Sequence, residues 1–254
     1  MNRQDRLRGL NCRIVECNAD KPDSLSAAMR GVHRVFICTP STETRAVQTI
    51  RMAEAARNAG VQHVGFISVP AVNAPYTLFG SQYKEIEDRI RALGIRSTAL
   101  RCNLFMDNFQ MNADTIKNEQ AIVMPFNPDA PYAPIAVADV ARAAAALINS
   151  PRSFKHRAYT LTGPETVTLK NICDYLASAL GKEMKLITVP YETAHKSLVE
   201  KGIPDWSARG LMELYHLIDE GRYLGEVSRD YERLTGHRGT PMHQWVREHA
   251  ALFV

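Results

Sequence analysis

The sequence predicts an α/β fold, in which a doubly wound parallel sheet is followed by a C-terminal, mostly helical cap. Short β-branched runs alternate with longer helical stretches, and connections of that length join parallel strands. The composition, 45% hydrophobic and 23% charged, is that of a globular protein. A chain of 254 residues is also close to the upper size of a single hydrophobic core.

The first part of the chain is predicted to contain four strands. Helices between them are indicated by apolar residues that recur three or four positions apart, over 23–31, between Ala46 and Gly60, and between Tyr83 and Gly94. The predicted strands are residues 12–17 (CRIVEC), 34–39 (RVFICT), 63–68 (HVGFIS) and 96–102 (RSTALRC).

After residue 120 the alternation is less regular, and shorter strands alternate with helices before an all-helical end. The predicted elements are strands over 121–126, 158–163 and 186–190, helices over 137–148 and 169–180, and a last helix opened by Thr240 and Pro241. We assign residues 1–150 to a Rossmann-like core and 151–254 to a substrate-side segment and helical cap, together forming one compact domain.

Charge and cysteine content argue against several classes of protein. The net charge of +4 is spread among acids without a run of like charges, so direct nucleic-acid binding is not expected. No window approaches the roughly 18 apolar residues of a membrane span, and the polar N-terminus is unlike a secretory signal. Five cysteines without a Cys-x-x-Cys pair indicate neither disulfides nor a metal site. We therefore expect a cytoplasmic protein.

Three collinear segments carry a resemblance to a known family. Residues 18–40, 55–68 and 83–109, which include A55-A-R-N-A-G and Y83-K-E-I-E-D-R-I, resemble the NmrA-like family of atypical short-chain dehydrogenase/reductases, and T162-G-P-E-T-V-T-L is similar to its substrate-side segment. The resemblance implies a Rossmann-type fold that binds NAD or NADP. It also implies either a reductase of quinones, dyes or unsaturated metabolites, or a non-catalytic redox sensor that binds transcription regulators.

The sequence departs from this family at its beginning. The family opens with a strand, a Gly-x-x-Gly-x-x-Gly loop and a helix that receive the pyrophosphate, whereas residues 12–17 match the family's third strand. We therefore expect an N-terminally truncated Rossmann-like sheet with weak dinucleotide binding; a lineage deletion and a misplaced start codon both remain open. Pairing of 12–17 with 34–39 is predicted to bury Ile14 and Val15, with a homodimer through the same edge as the alternative.

The resemblance suggests two catalytic residues. Lys84 corresponds to the lysine of a Tyr-x-x-x-Lys motif, which holds the nicotinamide ribose, although position 80 is glycine instead of tyrosine. The alternative is a solvated helix lysine paired with Asp88. Ser68 matches the catalytic serine that would hydrogen-bond a substrate carbonyl, or it merely closes its strand.

The same resemblance suggests residues that bind the cofactor and the substrate. Besides Lys84, the predicted cofactor-binding residues are Asn18, Thr39, Pro40 and Asn103. Phe105 and Phe109 are predicted to line an apolar substrate pocket, with core packing as the alternative.

Two functional hypotheses follow. The first is an NAD(P)H-dependent reductase of a small apolar electrophile such as a quinone or an enone. The alternative is a non-catalytic regulator or scaffold with impaired dinucleotide binding, which binds a protein partner. The partners are accordingly a small-molecule substrate or a regulatory protein, with neither a membrane nor nucleic acid.

Overall fold

Four parallel strands form the central sheet of the computed structural model, which describes residues 11–149 and 158–254. The order of the strands across the sheet is β1-β2-β3-β5, and β4 pairs with β6 in a second, two-stranded parallel sheet. The strands are β1 (Arg34–Ile37), β2 (His63–Ser68), β3 (Ser97–Cys102), β4 (Ala121–Met124), β5 (Ala158–Leu161) and β6 (Lys185–Thr188).

Ten helices are present in the described ranges. They are α1 (Pro22–Met29), α2 (Arg45–Asn58), α3 (Leu78–Ala92), α4 (Ala113–Glu119), α5 (Val137–Asn149), α6 (Leu169–Leu180), α7 (Tyr191–Glu200), α8 (Asp205–Asp219), α9 (Asp230–Thr235) and α10 (Met242–His249).

The parallel sheet follows from the alternation in the sequence. β2 and β3 lie inside the sheet, and the side chains of Val64, Phe66 and Leu100 are almost wholly buried. α2 packs against α3 and against β1, whereas α5 contacts β1 and β2. The α/β class and the parallel sheet predicted from the sequence are confirmed.

The predicted strand over residues 12–17 is wrong. These residues form no strand, and the side chains of Ile14 and Val15 are 49% and 43% exposed. α1, which follows them, packs against α2, and Asp20 pairs with Arg51 of that helix. Contacts with α2 therefore position α1 and Asp20, while residues 12–17 have no strand partner in the described part of the chain to supply backbone hydrogen bonds.

α3 begins earlier than the predicted helix. The side-chain oxygen of Thr77 accepts a hydrogen bond from the backbone N–H of Gly80, which caps the helix one turn before Tyr83. Buried Phe79, four positions before Tyr83, extends the same apolar face into this turn.

The remaining predicted elements are present with shifts of a few residues at their ends. In the portion of the chain that the structure describes, none of the helices combines the length and apolar character needed to cross a bilayer.

Candidate functional site

The carboxyl ends of three adjacent strands meet at one edge of the sheet. β1 and β2 pair through Ile37 and Phe66, and β2 and β3 pair as far as Ser68 opposite Arg101. The residues that follow each strand therefore leave the sheet on the same side. This is the edge at which open α/β sheets bind ligands.

Ser68 belongs to a buried polar network at this edge. Its hydroxyl donates to Oε1 of Glu87 at 2.7 Å, and Arg101 donates from Nε and a terminal nitrogen to both oxygens of the same carboxylate, at 2.9 and 2.7 Å. This fork of hydrogen bonds raises the pKa of Arg101. Ser68 is fully buried and its proton is committed to Glu87, so in this arrangement the serine can accept but not donate a further hydrogen bond.

Lys84 lies on the exposed face of α3. Its ammonium group pairs with Asp88 one turn later, and Arg91 donates to the other oxygen of Asp88 at 2.9 Å. These cations, Lys84 first, lower the pKa of Asp88. An ammonium group has three N–H bonds, so pairing with Asp88 leaves donors available for a ligand.

Position 80, one turn before Lys84, has no room for a side chain. A Cβ atom there would collide with the carbonyl oxygens of Ala71 and Ala74 and with Oγ1 of Thr77. The segment after β2 therefore packs directly on the backbone of Gly80. A tyrosine at this position would require that segment to move.

The two tyrosines nearest to Lys84 in sequence occupy different environments. Tyr83 faces the core, and burial raises the pKa of its phenol to about 12, despite the nearby charge of Arg45. Tyr76 is 64% exposed on the loop before α3. A phenol as weakly acidic as that of Tyr83 is a poor proton donor at neutral pH.

Arg45, the first residue of α2, is a buried cation that the sequence did not single out. Its guanidinium lies 4.8 Å from the ring centre of Tyr83, 5.4 Å from that of Phe79 and 5.9 Å from that of Trp206. Nε donates to the carbonyl oxygen of Pro40 at 3.1 Å, and burial lowers the pKa of the group.

The loop after β1 is held by side chains from both halves of the chain. Nε2 of Gln82 on α3 donates to the carbonyl oxygens of Thr42 and Glu43, at 3.0 and 3.1 Å. The hydroxyl of Ser207 on α8 donates to the carbonyl oxygen of Ser41 at 3.1 Å. Together with Arg45, these contacts fix the chain that follows Thr39 and Pro40.

The predicted cofactor-binding residues fall into two groups. Asn103 is buried: its Nδ2 donates to the carbonyl oxygen of Leu224 at 2.9 Å, and its Oδ1 accepts from a backbone N–H. Thr39 is half-buried with its hydroxyl 2.8 Å from that of Thr49, whereas Pro40 and Asn18 are exposed. Asn18 lies before α1, where its side chain accepts a local backbone N–H. Thr39, Pro40 and Asn103 thus follow the carboxyl ends of β1 and β3, whereas Asn18 precedes α1.

The two predicted substrate-binding phenylalanines pack in different clusters. Phe109 is buried in the main core, and Phe105 is half-buried beside a second cluster that contains Leu100 and Ile135. Both clusters adjoin the segment that leaves β3.

A cleft of about 410 Å³ opens beside the N-terminal turns of α2 and α3. Thr77, Ser81 and Gln82 line it together with the carboxylates of Glu43 and Glu85. Two carboxylates disfavour a pyrophosphate by repulsion, so the cleft does not fit the phosphates of a dinucleotide. Among the predicted cofactor-binding residues, Lys84 carries the exposed N–H donors that suit a ribose hydroxyl, whereas Pro40 has no backbone N–H and its carbonyl oxygen already accepts from Nε of Arg45.

Asp139, in the first turn of α5, makes contacts far along the chain. Its carboxylate is wholly buried and accepts hydrogen bonds from the backbone N–H of Thr240 at 2.7 Å and the hydroxyl of Tyr231 at 3.0 Å, and it pairs with Arg142. The described residues include no group of three or more histidine, cysteine or acidic side chains arranged to hold a metal ion.

The contacts of Glu87, Arg45 and Asp139 were missed by sequence reasoning. Arg45 offered one signal, since it lies four and eight positions before Thr49 and Ala53, on the same buried face of α2. The partners of Glu87 and Asp139 are remote in sequence, and a single sequence has no spacing rule for such pairs.

Comparison with known proteins places these features in context. The model of the NmrA-like family matches residues 2–236. An NAD(P)H azoreductase of Xenophilus azovorans is 27% identical over 98% of this chain and 87% of its own length.

Two solved structures are similar to the whole architecture. An NADPH-dependent quinone oxidoreductase of Escherichia coli, complexed with NADPH, has a TM-score of 0.86 at 23% identity over 99% of this chain and 87% of its own. NmrA, a negative transcriptional regulator, has a TM-score of 0.76 at 20% identity over 96% of this chain and 83% of its own. At these identities the similarity establishes the fold, which is Rossmann-like.

Proposed function

Because the chain belongs to the NmrA-like family, we propose that it is an NAD(P)H-dependent reductase of a small apolar electrophile such as a quinone or an enone. The observation that carries the proposal is the convergence of the carboxyl ends of β1, β2 and β3 at one edge, where Glu87, one turn after Lys84 on α3, binds Ser68 and Arg101. The reductase activities named for two relatives support the same class of chemistry.

The residues at the edge have distinct tasks in this proposal. A nicotinamide cofactor, when bound, supplies the hydride. Lys84 donates to the ribose hydroxyls and adds positive charge beside the acceptor, while the backbone at Thr39 and Pro40 contacts the cofactor. Ser68, whose proton is held by Glu87, keeps the end of β2 in position and donates a hydrogen bond to a ligand only if that network rearranges.

Calorimetric titration of the 254-residue chain with NADPH and with NADH tests the proposal, followed by an assay of NADPH oxidation with 1,4-naphthoquinone. We expect dissociation constants above roughly 100 μM, because the sequence contains no Gly-x-x-Gly-x-x-Gly loop to cradle the pyrophosphate. Saturation at low micromolar NADPH would refute weak binding. The absence of both binding and turnover would refute the reductase.

A second function, that of a non-catalytic regulator or scaffold, is favoured by the packing at Gly80. The backbone of residues 71–77 occupies the space that a tyrosine side chain would need. The same experiments separate the two functions, since a regulator of this kind would bind the dinucleotide or a protein partner and show no oxidation of NADPH with any of a panel of quinones and enones.

A further inference from the structure

A separate cavity of about 160 Å³ lies between the β4–β6 sheet and the helices α7 and α8. It is distinct from the residues assigned to the edge of the central sheet. Most of its wall is apolar, and flexible methionine side chains contribute from three different segments: Met111, Met124 and Met212. Such side chains adapt their shape to an occupant.

Two hydrogen-bond donors in this wall have no protein acceptor among the described residues. Oδ1 of Asn112 accepts the backbone N–H of Val123 at 3.0 Å, which fixes the orientation of the amide and leaves Nδ2 without a partner there. Tyr215, only 4% exposed, lines the same cavity, and its hydroxyl likewise makes no hydrogen bond within the described ranges. Burial raises the pKa of this phenol, so it remains a neutral donor.

One wall of the cavity is α7, which Tyr191 holds on α8 by stacking on His216 and donating to Asp219 at 2.7 Å. None of the residues of α7 is buried, and the helix packs chiefly on α8. At its end, Nζ of Lys201 donates to the carbonyl oxygen of Met111 at 2.9 Å and closes one side of the cavity. A ligand can therefore enter by displacing α7, without opening the main core.

We propose that this cavity binds a single-ring aromatic molecule that carries a carbonyl group, with Asn112 and Tyr215 donating to the carbonyl oxygen. A cavity of about 150 Å³ lined by apolar side chains accommodates a benzene ring, and donors in its wall without a protein acceptor favour a ligand that accepts from them. The inference goes beyond the proposed reductase and requires no dinucleotide.

The test is a fluorine NMR titration of the full chain with 4-fluoroacetophenone, performed without NADPH. We expect a saturable shift with a dissociation constant below about 1 mM, and slower amide exchange in α7 when the probe is present. Because no dinucleotide is added, a chain that fails as a reductase still tests this cavity. The absence of saturation up to 5 mM probe would overturn the proposal.

Variants locate the site. Ser197→Phe places a ring in the cavity and is expected to abolish binding, whereas Val199→Phe, at an exposed position of the same helix outside the cavity wall, should leave it intact. Equal affinity of these two variants for the probe would place the ligand elsewhere and refute the assignment.

Tyr215→Phe preserves the ring and removes one donor. The affinity for 4-fluoroacetophenone should fall about fivefold, the effect of one net hydrogen bond. The affinity for 4-fluorotoluene, which lacks the carbonyl, should not change. An equal effect on both probes, or none on either, would contradict donation by Tyr215. This variant also keeps the test informative if Ser197→Phe does not fold.

Discussion

At the scale of single residues, the candidate site is defined by which polar groups already have hydrogen-bond partners within the protein. Ser68 and Asn103 are buried with their hydrogen bonds made within the protein, whereas Lys84 keeps unused donors at the surface. A ligand at this edge would therefore meet Lys84 before it met either of the buried residues.

The first prediction concerns Lys84. Lys84→Ala should reduce NADPH-dependent turnover at least tenfold, because it removes the only basic side chain that the resemblance places at the nicotinamide ribose. Steady-state kinetics give the result, with Lys170→Ala as the control, since Lys170 is another exposed lysine paired with an aspartate. Equal activity of the two variants would move the site away from Lys84.

The second prediction concerns the network of Ser68, Glu87 and Arg101. Glu87→Gln should lower the free energy of unfolding by about 3 kcal/mol, because it removes the charge that pairs with the partly buried Arg101. Urea unfolding measures the loss. Glu85→Gln, two residues away and exposed, should change stability by less than about 0.5 kcal/mol; a similar loss in both variants would argue against the network.

At the scale of elements, the strands and helices are joined by a few buried polar contacts as well as by apolar packing. His63, the first residue of β2, lies with its Nε2 3.0 Å from the hydroxyl of Thr98 on β3. Burial, followed by the charges of Arg96 and Arg34, lowers the pKa of this imidazole. The neutral form is therefore the one that the folded sheet accommodates.

The third prediction is a pH dependence that arises from His63. In the unfolded chain the histidine takes up a proton near pH 6.5, whereas in the folded chain it does so only at lower pH. The contribution of His63 to the free energy of unfolding should thus be fully present above about pH 6.5. It should be lost as the pH falls from there towards the folded pKa. Urea unfolding at pH 7.5 and 5.5 should show a smaller decrease for His63→Gln than for the wild type; an equal decrease would assign the effect to other groups.

At the scale of the whole molecule, Asp139 ties the C-terminal segment to the central sheet. α5, which carries it, contacts β1 and β2, and the carboxylate binds Tyr231 and Thr240 from the C-terminal part. The C-terminal segment is therefore attached through a buried carboxylate as well as through the packing of α9 on α5 and β5.

The fourth prediction follows from this attachment. Asp139→Asn should destabilise the protein by about 3 kcal/mol, since it replaces an acceptor-only group by one with N–H donors facing other donors. It should also speed amide exchange over residues 230–249 more than elsewhere. Asp129→Asn, at an exposed aspartate in an ion pair with Lys170, provides the comparison. Unchanged exchange near Thr240 would show that Asp139 does not anchor this segment.

Local periodicity by itself determined most of the elements. The strand HVGFIS and the helix LKNICDYLASAL lie where the sequence placed them: the strand is a short run buried on both faces, and the helix buries Leu169, Ile172 and Leu176 along one face. The family resemblance likewise depended on contiguous residues. Neither required knowledge of what packs against each element.

Only the tertiary structure decided whether residues 12–17 form a strand and which partners the polar side chains bind. CRIVEC has the composition of a strand, but a strand also needs a neighbour to receive its backbone hydrogen bonds, and α1 packs on α2 instead. The partners of Asp139 lie up to 101 residues away, and the rings around Arg45 come from α3 and α8. Such contacts form where elements that are remote in sequence pack together. The spacing of residues along a single sequence does not show which elements these are.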